Sequence, residues 1–357
     1  MKTKRIILII SIIVMIGLMM VYSASHIWAY YKFNDHYYYF KRQALFAILG
    51  IVMMFIFSKI DYHLYQKYSI TILLGSLVLL GLVLIPGVGV VRGGSRSWFN
   101  FGLFALQPSE IYKIAMIIYV SDYLAHHYHQ MKKVKTAFKL VFMNLIGFGL
   151  IMLQPDFGSG LVIICSVALM VMVSPFLFRY FLSVGLIGLA GMVTMILSAS
   201  YRLKRITAYL NPFADPLGSG FQMIQSLYSI APGGILGVGF DHSIQKHFYL
   251  PEPQTDFIFA IYLEEFGLIG GMFLVLLYTC FFVYCFTLAK YVDDLFGSFL
   301  MLGIVFMIGI QTFMNLGVVV GLLPVTGVTL PLMSYGGTSL VVTLVEIGIL
   351  LNISKSI

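Results

Sequence analysis

Ten stretches of this chain are apolar over most of their length, and its polar residues gather between them. The runs fall near 6–25, 44–58, 69–87, 106–124, 137–153, 157–174, 177–200, 256–289, 296–320 and 337–354. Each approaches the ~20 residues a helix needs to cross a bilayer. The fourth is weakly apolar, the sixth and seventh nearly merge through "VSPF", and the eighth is long enough to tilt or protrude. The pattern predicts an all-α polytopic membrane protein with about ten transmembrane helices, forming one integral membrane domain over residues 1–357. The longest non-spanning segment, about 201–255, falls between spans seven and eight.

Composition supports this solvent. Of 357 residues, 60% are hydrophobic and 10% charged, against about 25% charged in a soluble domain; the mean hydropathy is +0.96. The first run follows "MKTKR" and exceeds the roughly 7–15 residues of a signal-peptide core, so it reads as a retained span. Cys165, Cys280 and Cys285 lie in apolar runs without ligand-like spacing, which predicts neither a disulfide framework nor a zinc site.

Short loops set the orientation. With the N-terminus cytoplasmic, that side receives Lys2, Lys4, Arg5, Lys59, Lys67, Lys132, Lys133, Lys135, Lys139, Arg179, Lys290 and Lys355, against Lys32, Lys41, Arg42, Arg92 and Arg96 outside. Both termini are then expected inside. The 201–255 loop adds Arg202, Lys204, Arg205 and Lys246 to the outer face, where topology supplies no reason for a basic cluster.

In "VRGGSRSWFNFGLFALQPSEIYKIAMIIYV", glycines and Ser95 predict a flexible loop carrying Arg92, Arg96 and Trp98; the tryptophan fits an interfacial anchor equally well. Glu110 and Lys113, spaced i,i+3 on one span, are close enough to pair. An ionisable pair at that depth marks a functional site or a structural link between helices, and spacing leaves both open. Asp156 in "QPDFGSG" is placed to cap the sixth span. The His126, His127, His129 loop, among lysines, reads as a solvated, lipid-facing basic loop. In the long loop, "GFQMIQSLYSI" is amphipathic and brings Gln222, Gln225 and Ser226 within one turn. The loop reads as a lid or floor over an anionic, hydrogen-bonding ligand, or as a merely ordered outer loop.

Four of the chain's 14 acidic residues lie in "FYLPEPQTDFIFAIYLEEFG". Pro251 and Pro253 predict an extended lead-in, Thr255 an N-cap, and Asp256 a first-turn carboxylate that the helix dipole would keep ionised. Glu264 and Glu265 lie about 12–13 Å deeper and are expected to pair with polar groups inside the bundle, with Glu252 at the surface. The last outer loop, "NLGVVVGLLPVTGVTLPLMSYGGTSL", is uncharged; Ser334, Tyr335 and Gly336–Gly337 fit a groove wall or a tight turn.

Together "GSRSWFNFG", "LQPSEIYKIA", "LQPDFGSG", "NPFADPLGSGFQMIQSLYSIAPGGILGVG", "QKHFYLPEPQTDFIFAIYLEEFGLIGG" and the last loop resemble the SEDS family (shape, elongation, division and sporulation), nearest its FtsW and SpoVE branch. The resemblance implies a SEDS-type fold and a peptidoglycan glycosyltransferase that polymerises lipid II, the undecaprenyl-pyrophosphate-linked disaccharide-pentapeptide, at the outer face of the cytoplasmic membrane. It places the catalytic aspartate on Asp256, the family's tryptophan on Trp98 and its intramembrane pair on Glu110 and Lys113. Arg96, Arg202, Lys204, Arg205 and Lys246 become candidates for meeting the leaving pyrophosphate, and Gln222, Gln225, Ser226, Glu252, Ser334 and Tyr335 for further substrate contacts. No resident cofactor is demanded, although a divalent cation, Mg or Mn, could assist. The implied partners are a class B penicillin-binding protein transpeptidase and membrane lipids, with no nucleic acid. Gln254 departs from a common His, and Thr338 from a common Ser. A lipid II flippase and a non-catalytic scaffold for wall synthesis are the rival classes.

Overall fold

The computed structural model describes residues 2–102, 104–176, 178–197 and 200–357; some side chains between 134 and 202, Arg202 among them, lie outside the described residues. Among the described residues, ten helices of 14 residues or more account for the ten apolar runs. They are α1 (Lys2–Phe33), α2 (Tyr38–Phe57), α4 (Ser69–Leu82), α5 (Pro108–His126), α6 (Val134–Leu153), α7 (Phe157–Val173), α8 (Phe178–Leu197), α11 (Ile258–Ala289), α12 (Leu295–Val319) and α13 (Gly337–Ile353). A short α3 (His63–Lys67) precedes α4, and α9 (Ser200–Leu210) and α10 (Phe221–Gly233) cross the long segment. By length and apolar composition alone, α1, α2, α11 and α12 each suffice to cross a membrane. The Lys2 ammonium donates to the Ile357 carbonyl at 3.0 Å, so the two ends of the chain meet at one end of the bundle.

The centre is built by α5 and α12, which pack on each other and both on α7; α13 packs against α2, and α10 against α11. Most of α5 is buried, including Glu110 and Lys113. That explains its weak apolar signal: a span shielded from lipid by other helices can carry polar groups that pair inside the bundle.

The expected flexible loop before α5 is instead a small antiparallel sheet, β1 (Val90–Arg92), β2 (Ser95–Asn100) and β3 (Ala105–Leu106), in the order β1-β2-β3. Val90 pairs with Trp98 and Phe99 with Leu106. Gly93 and Gly94, at φ 56° and 82°, form the two-residue turn whose twist matches that of paired strands. The glycines therefore tighten this segment.

α11 is not continuous. At Gly267 (φ 61°, ψ −163°) the helix breaks, and the 234–239 segment splices into the gap. The Glu264 and Glu265 carbonyls accept from the Val238 and Gly239 amides, each at 3.0 Å, while the Leu268 and Ile269 amides donate to Gly234 (3.0 Å) and Ile235 (3.1 Å). A Cβ on Gly267 would stand 2.4 Å from the Gly237 nitrogen, so only glycine fits there.

Candidate active site

α11 begins at Ile258, so Asp256 lies just ahead of the helix, and Thr255 does not cap it; the Thr255 hydroxyl donates to the Glu252 carbonyl at 2.9 Å. What fixes Asp256 is α12 together with the loop that follows it. Three consecutive carbonyls are pinned: Gln254 accepts from the Tyr335 amide (2.8 Å), Thr255 from the Ser334 hydroxyl (2.6 Å), and Asp256 from the Asn315 amide side chain (2.8 Å). The side chain is only partly buried and accepts no hydrogen bond from any described residue. Gly327 (φ 77°) lies beneath it, where an added Cβ would come 3.8 Å from Oδ2.

Burial pushes the Asp256 carboxyl up to about 6, with Glu252 and Asp156 acting in the same direction and Arg205 against them. The expectation that the helix dipole would hold it ionised is therefore corrected: desolvation outweighs it, because Asp256 sits outside the first turn and against protein. The carboxylate is still mostly ionised near pH 7 and is a better proton acceptor than an ordinary one.

The predicted cations separate. α9 lies over the 320–327 loop, with the Arg205 guanidinium donating to Val325 O (3.2 Å) and the Tyr209 hydroxyl to Leu322 O (2.9 Å). Lys204, Arg205, Tyr209, Ser219 and Gln222 line a cavity of about 230 Å³ there. Gln222 is exposed, Gln225 half-buried, and Ser226 fully buried, its hydroxyl donating to Val319 O at 2.9 Å. Ser226 thus fastens α10 to α12 and does not face the cavity. Arg96 is half-buried on β2, its guanidinium 3.4 Å from the Leu84 carbonyl, and Arg92 stands 5.6 Å over the half-buried Trp98 ring. The Arg202 side chain lies outside the described residues.

Lys246 differs most from its expectation. It is 1% exposed. Its ammonium donates to the Asp241 carboxylate and to Asp241 O (2.6 Å), and it lies 3.3 Å from Ser23 Oγ and 3.4 Å from Glu265 Oε1. A cation so committed has no free face for a phosphate. Glu264 accepts from the Ser243 hydroxyl (2.5 Å) and the Ile244 amide (2.8 Å), so both glutamates pair with polar groups inside the protein. Glu252 is exposed, whereas Ser334 is buried in backbone hydrogen bonds and Tyr335 is half-buried.

Within the bundle, Lys113 Nζ lies 2.9 Å from Glu110 Oε1 and donates to Gln311 Oε1 at 2.8 Å. Gln311 in turn donates to Thr329 O (3.1 Å) and, one turn on, Asn315 donates to Val328 O (2.8 Å) as well as Asp256 O. The ion pair therefore reaches the Asp256 backbone through one face of α12. Asp156 N-caps α7 through the Ser159 amide (3.1 Å) and accepts from Gln107 Nε2 (3.1 Å), which ties it to the start of α5.

Residues 3–357 match the FtsW/RodA/SpoVE family of cell cycle proteins. The chain belongs to that family. It is 49% identical over 354 residues to stage V sporulation protein E of Bacillus subtilis, covering 98% of this chain and 96% of that protein. It is 43% identical over 339 residues to the probable peptidoglycan glycosyltransferase FtsW of Geobacter metallireducens, covering 95% and 90%. The fold matches a chain of a solved peptidoglycan synthase complex that coordinates polymerization and crosslinking, with a TM-score of 0.81, 32% identity, and 98% and 96% of the two chains covered. The protein is thus a multi-pass helical membrane protein of the FtsW/RodA/SpoVE fold.

Two further features of this family member bear on its site. A groove of about 770 Å³, lined by apolar residues of α10, α11 and α12 such as Ile230, Phe259, Leu263, Met272, Phe313 and Leu316, opens along the bundle below α10. Among the described residues no three His, Cys, Asp or Glu side chains converge as a metal cage. Asp256 alone fits a Mg- or Mn-type ion shared with substrate phosphates, the common manner for Mg²⁺.

The sequence reading missed Gln311, Asn315 and Glu346. Glu346 is buried on α13 and acts electrostatically on Lys113 and Glu110. The available signal was a lone carboxylate inside an apolar run.

Proposed function

We propose that this chain is a peptidoglycan glycosyltransferase that polymerises lipid II into β-1,4 glycan strands at the outer face of the cytoplasmic membrane, with both termini cytoplasmic. The observation that carries the reading is Asp256: a carboxylate fixed through three pinned carbonyls, free of hydrogen bonds from described residues, with its pKa near 6. The twelve-to-five excess of basic residues in the loops at the other end supports the orientation.

The acceptor's GlcNAc 4-hydroxyl attacks the anomeric carbon of the donor's MurNAc. Asp256 takes the hydroxyl proton as the new C–O bond forms. The bond to the pyrophosphate breaks, the anomeric centre inverts from α to β, and undecaprenyl pyrophosphate leaves with the bonding pair. Arg205 and Lys204, with Arg96 from β2, supply the positive field into which that charge develops; Lys246 is excluded from this set by its ion pairs. A divalent cation, when bound, would neutralise part of the same charge. The Glu110–Lys113–Gln311 network holds α5 and α12 in the register that places Asn315 under Asp256. The apolar groove supports accommodation of a polyprenyl tail. The family relation to a synthase complex supports a class B penicillin-binding protein as partner.

The test is purified protein with labelled lipid II, alone and with its transpeptidase. Glycan polymer that requires Asp256 supports the reading. Robust transfer of lipid II between vesicle leaflets, with no polymer under either condition, replaces it with the flippase.

A further inference from the structure

Four lysines crowd the corner between α5 and α6. Lys132, Lys133, Lys135 and Lys139 are all exposed, and no Asp or Glu occurs from residue 123 to residue 155. The corner lies at the end of the bundle where the termini meet. Tyr128 approaches Phe299 near the start of α12, with 6.1 Å between ring centroids. Just ahead of α12, Asp294 accepts from the Tyr62 hydroxyl, and the Tyr62 amide donates to Asn352 Oδ1 near the C-terminus at 3.1 Å. Other turns at this end carry acids among their bases: Asp61 between Lys59 and Lys67, and Asp293 and Asp294 after Lys290. At the α5–α6 corner the nearest carboxylate in sequence, Asp122, is taken up by His126 (2.9 Å) and the Ser69 hydroxyl (2.6 Å).

The two faces of α6 show what the lysines meet. Leu140, Asn144, Gly147 and Ile151 are buried on one side, while Phe138, Phe142 and Leu145 are 67%, 53% and 53% exposed on the other. Phe138 and Phe142 stack at 6.4 Å. On a membrane-spanning helix such an exposed apolar stripe faces hydrocarbon tails. Positions 135, 138, 142 and 145 follow helical spacing, so Lys135 heads this stripe and Lys139 lies one turn from it. The Lys139 ammonium stands 6.0 Å over the Tyr123 ring, beside the end of α5. The first turn of α6 holds no acidic residue that would offset these charges. Lysine stems lie along apolar surface and carry their ammonium groups to the headgroup layer.

The orientation rule asks only that basic residues collect in the loops on one side. It does not ask that they gather, unbalanced, at the lipid-facing edge of a single helix. A soluble acidic partner would be met by lysines turned away from the bilayer, whereas Lys135 and Lys139 crown a stripe of tail contacts. We propose that Lys132, Lys133, Lys135 and Lys139 form a docking site for the headgroups of anionic phospholipids, with the Phe138–Phe142 face against the acyl chains of the same lipids. The site fastens the α5–α6 corner to one leaflet, at the opposite end of α5 from Glu110. It does not depend on the glycosyltransferase reading.

The test titrates fluorescent phosphatidylglycerol and phosphatidylcholine onto the full purified chain in a neutral detergent. Wild type should prefer phosphatidylglycerol. A lysine near an anionic surface contributes about fivefold in affinity, so Lys135→Gln/Lys139→Gln should weaken phosphatidylglycerol binding roughly 25-fold. Lys135→Arg/Lys139→Arg should keep it, and Lys59→Gln/Lys67→Gln, at the same end but beside Asp61, should leave it near wild type. Salt gives a readout that needs no variant: at 1 M, where screening acts over about 3 Å, wild type should lose its preference. Equal binding of the two lipids by wild type, a preference that survives 1 M salt, or unchanged binding in the glutamine pair would each overturn the site. Displacement of phosphatidylglycerol by inorganic phosphate or by oligoglutamate at matched charge would overturn it too, since a free anion or an acidic peptide would then be what the lysines take.

Discussion

Asp256 and Lys246 lie ten positions apart in one segment, and charge pattern alone recommends both for the same site. Their surroundings separate them. Lys246 is sealed against Asp241, Ser23 and Glu265, so its charge serves to join the long segment to α1 and α11. Asp256 and the two residues before it have their carbonyls held, and its carboxylate is left uncommitted. A fold that spends every contact on the main chain and none on the functional group keeps that group positioned and reactive at once. The two residues teach that a charged side chain's job is read from what already satisfies it.

The sharpest way to break this comparison is Asp256→Asn. It should cut polymer formation by about 10²–10⁴-fold, the range of a lost general base. Because burial raises the Asp256 pKa, keeping the carboxylate ionised at neutral pH costs folding stability, and the uncharged amide should leave thermal stability equal or higher. Polymer from the purified variant at wild-type rate would remove Asp256 from the chemistry.

Lys246→Ala should act on stability instead, costing about 3–5 kcal/mol by stranding the buried Glu265 carboxylate. Thermal unfolding in detergent reads this. Adding Glu265→Gln and Asp241→Asn should recover most of the loss and restore polymerisation. A stable single variant with specifically weakened lipid II binding would return Lys246 to the substrate set.

The Glu110–Lys113 pair sits between these cases, buried yet linked to Asp256 through α12. Either alanine variant should destabilise the protein by a similar ~3–5 kcal/mol. The swap Glu110→Lys/Lys113→Glu should regain folding but not full polymerisation, because Gln311 accepts from the Lys113 ammonium, and Glu346 is attracted by Lys113 and repelled by Glu110. Full activity in the swap would make the pair purely structural.

The smallest expected effect is a displaced pH limb. Polymerisation should fall as pH drops through about 6, when Asp256 takes up its proton. Arg205 lowers that pKa and Glu252 raises it, so Arg205→Ala should move the limb to higher pH and Glu252→Gln to lower pH. Pre-steady-state rates against pH measure this, and shifts of equal sign would contradict the electrostatic assignment.

The ten spans were legible because a crossing helix must be apolar for about twenty residues whatever packs against it. The Asp156 cap was legible too, since it is a local hydrogen bond three residues long. The β1–β2 hairpin hid behind Gly93–Gly94, which read as looseness although a glycine pair between short apolar runs also marks a tight turn. The fate of Lys246 was not legible: Ser23 lies 223 positions away, and no local pattern reports a contact at that range. The same holds for Asn315, a lone polar residue in an apolar run, whose task depends on where the 324–329 loop comes to rest.

The splice at Gly267 turns α11 into a lever with a short arm. Residues 258–266 share no unbroken backbone ladder with the rest of the helix; their carbonyl ends are gripped by the 234–239 segment. Asp256 rides at the tip of that arm, and Gly267 is its fulcrum. The far part of α11 is thereby uncoupled along the backbone from residues 258–266, which are held sideways by the 234–239 segment at one end and by Asn315 of α12 at the other.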